Sequence, residues 1–126
     1  MNKTILVVDG SKTIRKQVSY ILGKKSWNVL EANNGRTAFE TLKYNPETSV
    51  ILSEIEMPTC DGIEMMHMIE ADEQLRGVPL IVLTIQGHEA QKKEVKGIYK
   101  EIKGWLSKPV DEKALVELLG TIEKAI

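Results

Sequence analysis

Asp9, Glu54, Glu56, Thr84 and Lys108 are spaced so that a sheet of parallel strands would carry them to one end. Ile5-Leu6-Val7-Val8 precedes Asp9, Ile51-Leu52-Ser53 precedes Glu54, Val82-Leu83 precedes Thr84, and Trp105-Leu106-Ser107 precedes Lys108. In an open parallel sheet the binding crevice lies beyond the carboxyl ends of the strands, where the strand order reverses. Carboxylates there can hold a hard cation through oxygen. A hydroxyl and an ammonium can contact an anionic group and neutralise charge developing on it. Taken singly, Asp9 or Thr84 serves a loop as well as a site. Their combination with the punctuation Met57-Pro58 and Asp61-Gly62 is far more specific than its parts.

The elements that must position these residues alternate along the chain. Thr4 to Val8 is apolar after its first residue, as in a strand buried on both faces. Lys12 to Lys24 places Ile14, Val18, Ile21 and Leu22 on one helical face. Trp27 to Ala32 and Val50 to Ser53 are further strands, and Asn34 is an N-cap for a helix lined by Ala38, Phe39 and Leu42. Asp61-Gly62 turns into a helix striped by Ile63, Met66 and Ile69. Leu80 to Thr84 is a fourth strand and Trp105 to Ser107 a last short one. Asp111 caps a final helix through Leu115, Leu118, Leu119 and Ile122. Strand and helix repeated five times predict an α/β fold: a doubly wound, five-stranded parallel sheet, flavodoxin-like (βα)5, in three layers.

Bulk properties narrow the class. A chain of 126 residues fits one domain, 1–126, and can bury roughly two-thirds of its unfolded surface without staples. A net charge of -1 gives no field favouring nucleic acid or an anionic membrane. The single cysteine, Cys60, forbids an intrachain disulfide framework, which fits a cytoplasmic location. No apolar run reaches the length of a membrane span, and the opening run is too short for a signal peptide.

With those residues in place, the chain resembles the receiver domain of bacterial response regulators, most closely the single-domain chemotaxis (CheY-like) type. The resemblance rests on Ile5 to Asp9, Ile51 to Pro58, Asp61-Gly62, Val82-Leu83-Thr84 and Trp105 to Pro109, in order and over nearly the whole chain. It implies a phosphorelay, two-component signalling module and not an enzyme. It also implies an acidic phosphoacceptor after the third strand, two acids after the first strand that bind Mg²⁺, and a hydroxyl and lysine that contact phosphoryl oxygens.

Against that pattern the acceptor position holds Glu54 in place of aspartate, and the second acid of the pair is Gly10. The extra methylene carries the carboxylate outward, and a misplacement of about 1 Å can cost on the order of a hundredfold in rate. The resemblance therefore implies a degenerate acceptor set of Glu54, Thr84 and Lys108. It leaves a weak or absent Mg²⁺ site at Asp9, Glu54 and Glu56, the last through its backbone carbonyl, with no cofactor or only weakly bound Mg²⁺. Glu54 is expected to pair with Lys108 without turnover and to imitate a phosphorylated aspartate in part. Trp105 takes the switch position. The expected partner is a protein, a histidine kinase or a downstream signalling protein, meeting the face of the fourth helix, fifth strand and fifth helix. Two other readings stay open. One is a working Mg²⁺-dependent receiver with an altered site. The other, weaker one is a small-ligand flavodoxin-like domain, which lacks any Gly-rich phosphate loop after the first strand.

The remaining chemistry-bearing residues read as ordinary. Cys60 is a passive loop thiol, His67 and His88 are solvated helix residues, and Met65, Met66 and Met68 fill core and face. Lys92, Lys93, Lys96, Lys100 and Lys103, offset by Glu89, Glu94 and Glu101, form a solvated face. Because no early glycine stands in Lys100 to Gly104, the fourth helix is expected to run long or end loosely.

Overall fold

The apolar runs become strands because each is covered on both faces. A computed structural model describes residues 3–84 and 89–125. Its elements in chain order are β1 (Thr4–Val8), α1 (Lys12–Gly23), β2 (Asn28–Ala32), α2 (Gly35–Tyr44) and β3 (Val50–Glu54). They continue as α3 (Gly62–Glu70), β4 (Leu80–Thr84), α4 (Glu89–Lys96), β5 (Ile102–Ser107) and α5 (Glu112–Ala125). All pairings are parallel, in the order β2-β1-β3-β4-β5. This is the expected doubly wound, three-layered α/β fold.

Alternation along the strands feeds two cores. Leu6 and Val8 point to the layer of α2, α3 and α4, where Ala38, Leu42, Met65, Met66, Ile69 and Val95 are buried. Ile5 and Val7 point to the opposite layer, against Val18 and Leu22 of α1 and Leu115, Leu119 and Ile122 of α5. Every position of β1 and β4 is therefore buried. Fully burying one such side chain is worth about 1.5–3 kcal/mol.

Side-chain caps set where helices begin. Asn34 Oδ1 accepts from Thr37 N at 2.9 Å, Asp61 Oδ1 from Glu64 N at 2.9 Å and Asp111 Oδ2 from Ala114 N at 2.9 Å. Each satisfies one of the amide groups that a first turn leaves without a partner.

Two boundaries differ from expectation. The fourth helix stops at Lys96 and does not run long: Gly97 follows, and Tyr99 N donates to Val95 O at 3.0 Å. Buried Tyr99 fixes this exit by donating its hydroxyl to Val78 O at 2.6 Å. β5 also begins three residues earlier than its aromatic run, at Ile102, with a register shift opposite Leu80 and Ile81. Gly104 fits inside this strand because Leu118 packs onto it; a Cβ there would meet Leu118 Cδ2 at 2.5 Å.

Among the described residues, no helix is long and apolar enough to cross a membrane. His88 lies outside the described residues, and exposed His67 sits in the last turn of α3.

Candidate functional site

Asp9 is the first residue past β1 and is fully buried. Its main chain is held from both sides: its N–H donates to Ala32 O at 3.1 Å, and its carbonyl accepts from Arg15 Nη1 at 2.6 Å. Arg15 is itself steadied by Glu31 at 3.1 Å. Asp9 Oδ1 accepts from Ser11 N at 2.8 Å. Its Oδ2 lies 2.8 Å from Lys108 Nζ, an ion pair without the alignment of a hydrogen bond.

Glu54 ends β3, on the strand next to β1. Its Oε1 accepts from Gly10 N at 2.6 Å and its Oε2 from Lys108 Nζ at 2.5 Å. Lys108 leaves β5 at the cis Lys108–Pro109 bond, and its own N–H donates to Thr84 O at 3.0 Å. The fold thus sets one ammonium between two carboxylates from different strands.

The charges answer to that arrangement. Burial pushes the Glu54 carboxyl above its ordinary range; Lys108 and the Gly10 N–H pull it back, and the negative charge of Asp9 adds to the rise. For Lys108, burial works against the ammonium, but attraction to Asp9 and Glu54 outweighs it and leaves the pKa raised. Two carboxylates thus share one cation.

Beside this triad lies a crevice of about 100 Å³, lined by Glu54, Glu56, Thr84, Gln91 and Lys108 among others. Thr84 is buried, and its hydroxyl donates to Leu106 O at 3.4 Å. The structure therefore brings together Asp9, Glu54, Thr84 and Lys108. Glu56 lines the same crevice, where its Oε1 accepts from Gln91 Nε2 at 3.1 Å. Among the described residues, no three His, Cys, Asp or Glu side chains gather closely enough to hold a metal ion.

Trp105 is half-buried on β5, away from the crevice. It lines a shallow groove with Ala114, Glu117 and Leu118 of α5. The Lys92 and Lys96 ammonium groups stand 5.6 and 5.9 Å from its ring centroid, within cation–π range. Those two lysines are therefore more than a solvated face. Cys60 is buried under the loop after β3, where burial and the charges of Glu64 and Asp61 push its thiol pKa up. An unreactive thiol follows.

Sequence reasoning missed the Gly10 amide, Arg15 and Gln91. A backbone donor has no side-chain signature, and the contact of Gln91 with Glu56 spans 35 positions, beyond any local pattern. Arg15 is six residues from Asp9, a spacing that helix geometry alone does not single out.

Comparison with known proteins agrees with the geometry. The family described as response regulator receiver domain matches residues 5–120. The chain is 29% identical to chemotaxis protein CheY1 of Helicobacter pylori over 119 residues, 94% of each chain. It is 30% identical to protein PilH of Pseudomonas aeruginosa over 118 residues, covering 94% of this chain and 95% of that one. The solved structure of Vibrio cholerae chemotaxis protein CheY4 superposes with a TM-score of 0.87 at 29% identity, covering 97% of this chain and 99% of that one.

Proposed function

The chain belongs to the response regulator receiver domain family of two-component signalling, and we propose that it acts there as a protein-binding module whose output does not wait for phosphoryl transfer. The observation that carries this reading is the contact of Lys108 Nζ with Glu54 Oε2 at 2.5 Å, with Gly10 N on the other carboxylate oxygen at 2.6 Å. Phosphoryl transfer needs a nucleophile in line and cations that neutralise the equatorial oxygens. Here both oxygens of the carboxylate in the acceptor position are already engaged.

A divalent cation would have to displace the Lys108 ammonium. Gly10 supplies no second acid, and the Glu56 side chain already accepts from Gln91 Nε2. Asp9 and Glu54 are a thin donor set for a cation that demands near-octahedral oxygen geometry. The residues as arranged do not fit resident Mg²⁺. Lys108 is the cation of the site.

Glu54 reaches further than an aspartate and carries one negative charge, so it stands partly in place of a phosphorylated acceptor and draws Lys108 inward. The output face in this reading is α4, β5 and α5, with Trp105 at its centre. Its partner is a protein, either a histidine kinase or a downstream signalling protein, met in the cytoplasm.

The test is incubation with a small phosphodonor and with receiver-specific kinases, followed by intact-mass and peptide mass spectrometry. The expected result is no stoichiometric phosphate. A phosphorylated residue mapped to the crevice would replace this reading with that of a working receiver.

A further inference from the structure

Gly10 has no side chain, yet it is the residue that holds Glu54 in place. Its N–H reaches Glu54 Oε1 at 2.6 Å. A Cβ on residue 10 would stand 3.4 Å from that same oxygen, 3.5 Å from Pro58 Cδ and 4.0 Å from Asn33 O. A methyl group fits there in ordinary contact. An acidic side chain built on that Cβ would bring another negative charge close to the Glu54 carboxylate, with buried Asp9 nearby and Lys108 already shared. Like charges so close cannot all ionise at ordinary cost.

We infer that Gly10 is a positioning residue for Glu54, and that the two form an interlocked pair which selects the Lys108 ammonium over a divalent cation. The inference rests on the reading given under Proposed function and deepens it. Glutamate spans the distance to the Gly10 amide because nothing occupies the space in front of it. An aspartate at position 54 is one methylene shorter and lets go of that amide. An acid at position 10 crowds a glutamate but not an aspartate. Neither an acid at position 10 nor an aspartate at position 54 comes alone without loss, whereas the two together rebuild an open acid pair.

The pair is tested with Gly10→Asp, Glu54→Asp and the double variant beside the wild type. Thermal midpoints are read with and without millimolar Mg²⁺, and Mg²⁺ is titrated against tryptophan emission. Each single change is expected to lower the midpoint by a few degrees without Mg²⁺. The double variant is expected to bind Mg²⁺ at least about tenfold more tightly than the effects of the two single changes combined predict, a coupling normal for groups in contact. Gly10→Ala keeps the amide and adds only the methyl group, so its midpoint should stay within a degree or two. It also carries the test if Gly10→Asp does not fold, because a large fall in Gly10→Ala would count against the stated geometry. Strictly additive effects, or wild-type Mg²⁺ binding as tight as that of the double variant, would overturn the inference. Phosphate incorporation by the wild type would overturn the functional reading and leave the coupling standing.

Discussion

Lys108 and Glu54, 54 positions apart in sequence, meet at 2.5 Å with only 19% and 13% of their side chains exposed. Asp9, fully buried, lies 2.8 Å from the same ammonium. The site is therefore a shared ion cluster in which the cation is the scarce member.

Removing that cation tests the cluster. Lys108→Met leaves two carboxylates without their cation at the carboxyl end of the sheet, and breaking a buried pair in this way costs about 3–5 kcal/mol. Urea denaturation should show the loss. Adding Asp9→Asn to the same protein removes one of the stranded charges and should recover part of it. A Lys108→Met protein as stable as the wild type would mean that the cluster contributes nothing.

Thr59 has φ 72°, in the left-handed region that a β-branched residue rarely adopts. It is exposed on the loop between β3 and α3. Relieving the strain, offset by the entropy of glycine, should make Thr59→Gly more stable by up to about 1 kcal/mol. A urea midpoint at or below that of the wild type would contradict this.

Gly62 and Gly120 should respond to alanine with opposite signs. A Cβ on Gly62 meets Glu54 O at 2.6 Å and Ile55 Cα at 3.0 Å, both backbone atoms that cannot rotate away. Gly62→Ala is expected to cost about 1–3 kcal/mol and to shift the amide resonance of Gly10. A Cβ on Gly120, inside α5, meets nothing within 4 Å, so Gly120→Ala should gain about 0.5–1 kcal/mol of helix propensity. Thermal melts of the two variants check both signs.

Asp72 gives a pH dependence of known sign. The hydrogen bond from Lys43 at 2.8 Å, with those from the Gln74 and Leu75 amides, holds its carboxyl below the ordinary 3.8. A depressed folded-state pKa adds stability that is present above the unfolded value and lost as pH falls through the folded one. Asp72→Asn should therefore flatten the stability loss on acidification below about pH 4, and its curve should meet that of the wild type at the acid end. Parallel curves throughout would show that Asp72 is not linked to folding.

Much of this was legible in the chain because burial on two faces leaves a plain mark. β1 and β4, sealed between helical layers, are the two longest apolar runs, and Glu54 and Thr84 end their strands while Asp9 and Lys108 directly follow theirs. β5 was only half legible. It is an edge strand whose first residues, Ile102, Lys103 and Gly104, carry no apolar run, and its glycine is tolerated only because Leu118 covers it. The end of α4 was misjudged because Gly97 and the buried Tyr99 lie before the segment in which a stop was sought. At the site, the residue types were readable but their bonding was not. No local pattern announces that Glu54 engages a backbone amide at Gly10, or that Glu56 turns to Gln91.

The chain has two tryptophans, and the fold gives them different duties. Trp27 is 8% exposed, packed with the α1 and α5 core. Trp105 is half-buried under two ammonium groups carried by α4. Indole emission follows the local field and its solvent, so any drift of α4 from β5 alters the light from Trp105. The molecule carries an optical gauge of its own α4–β5 contact and needs no label for that contact to be watched.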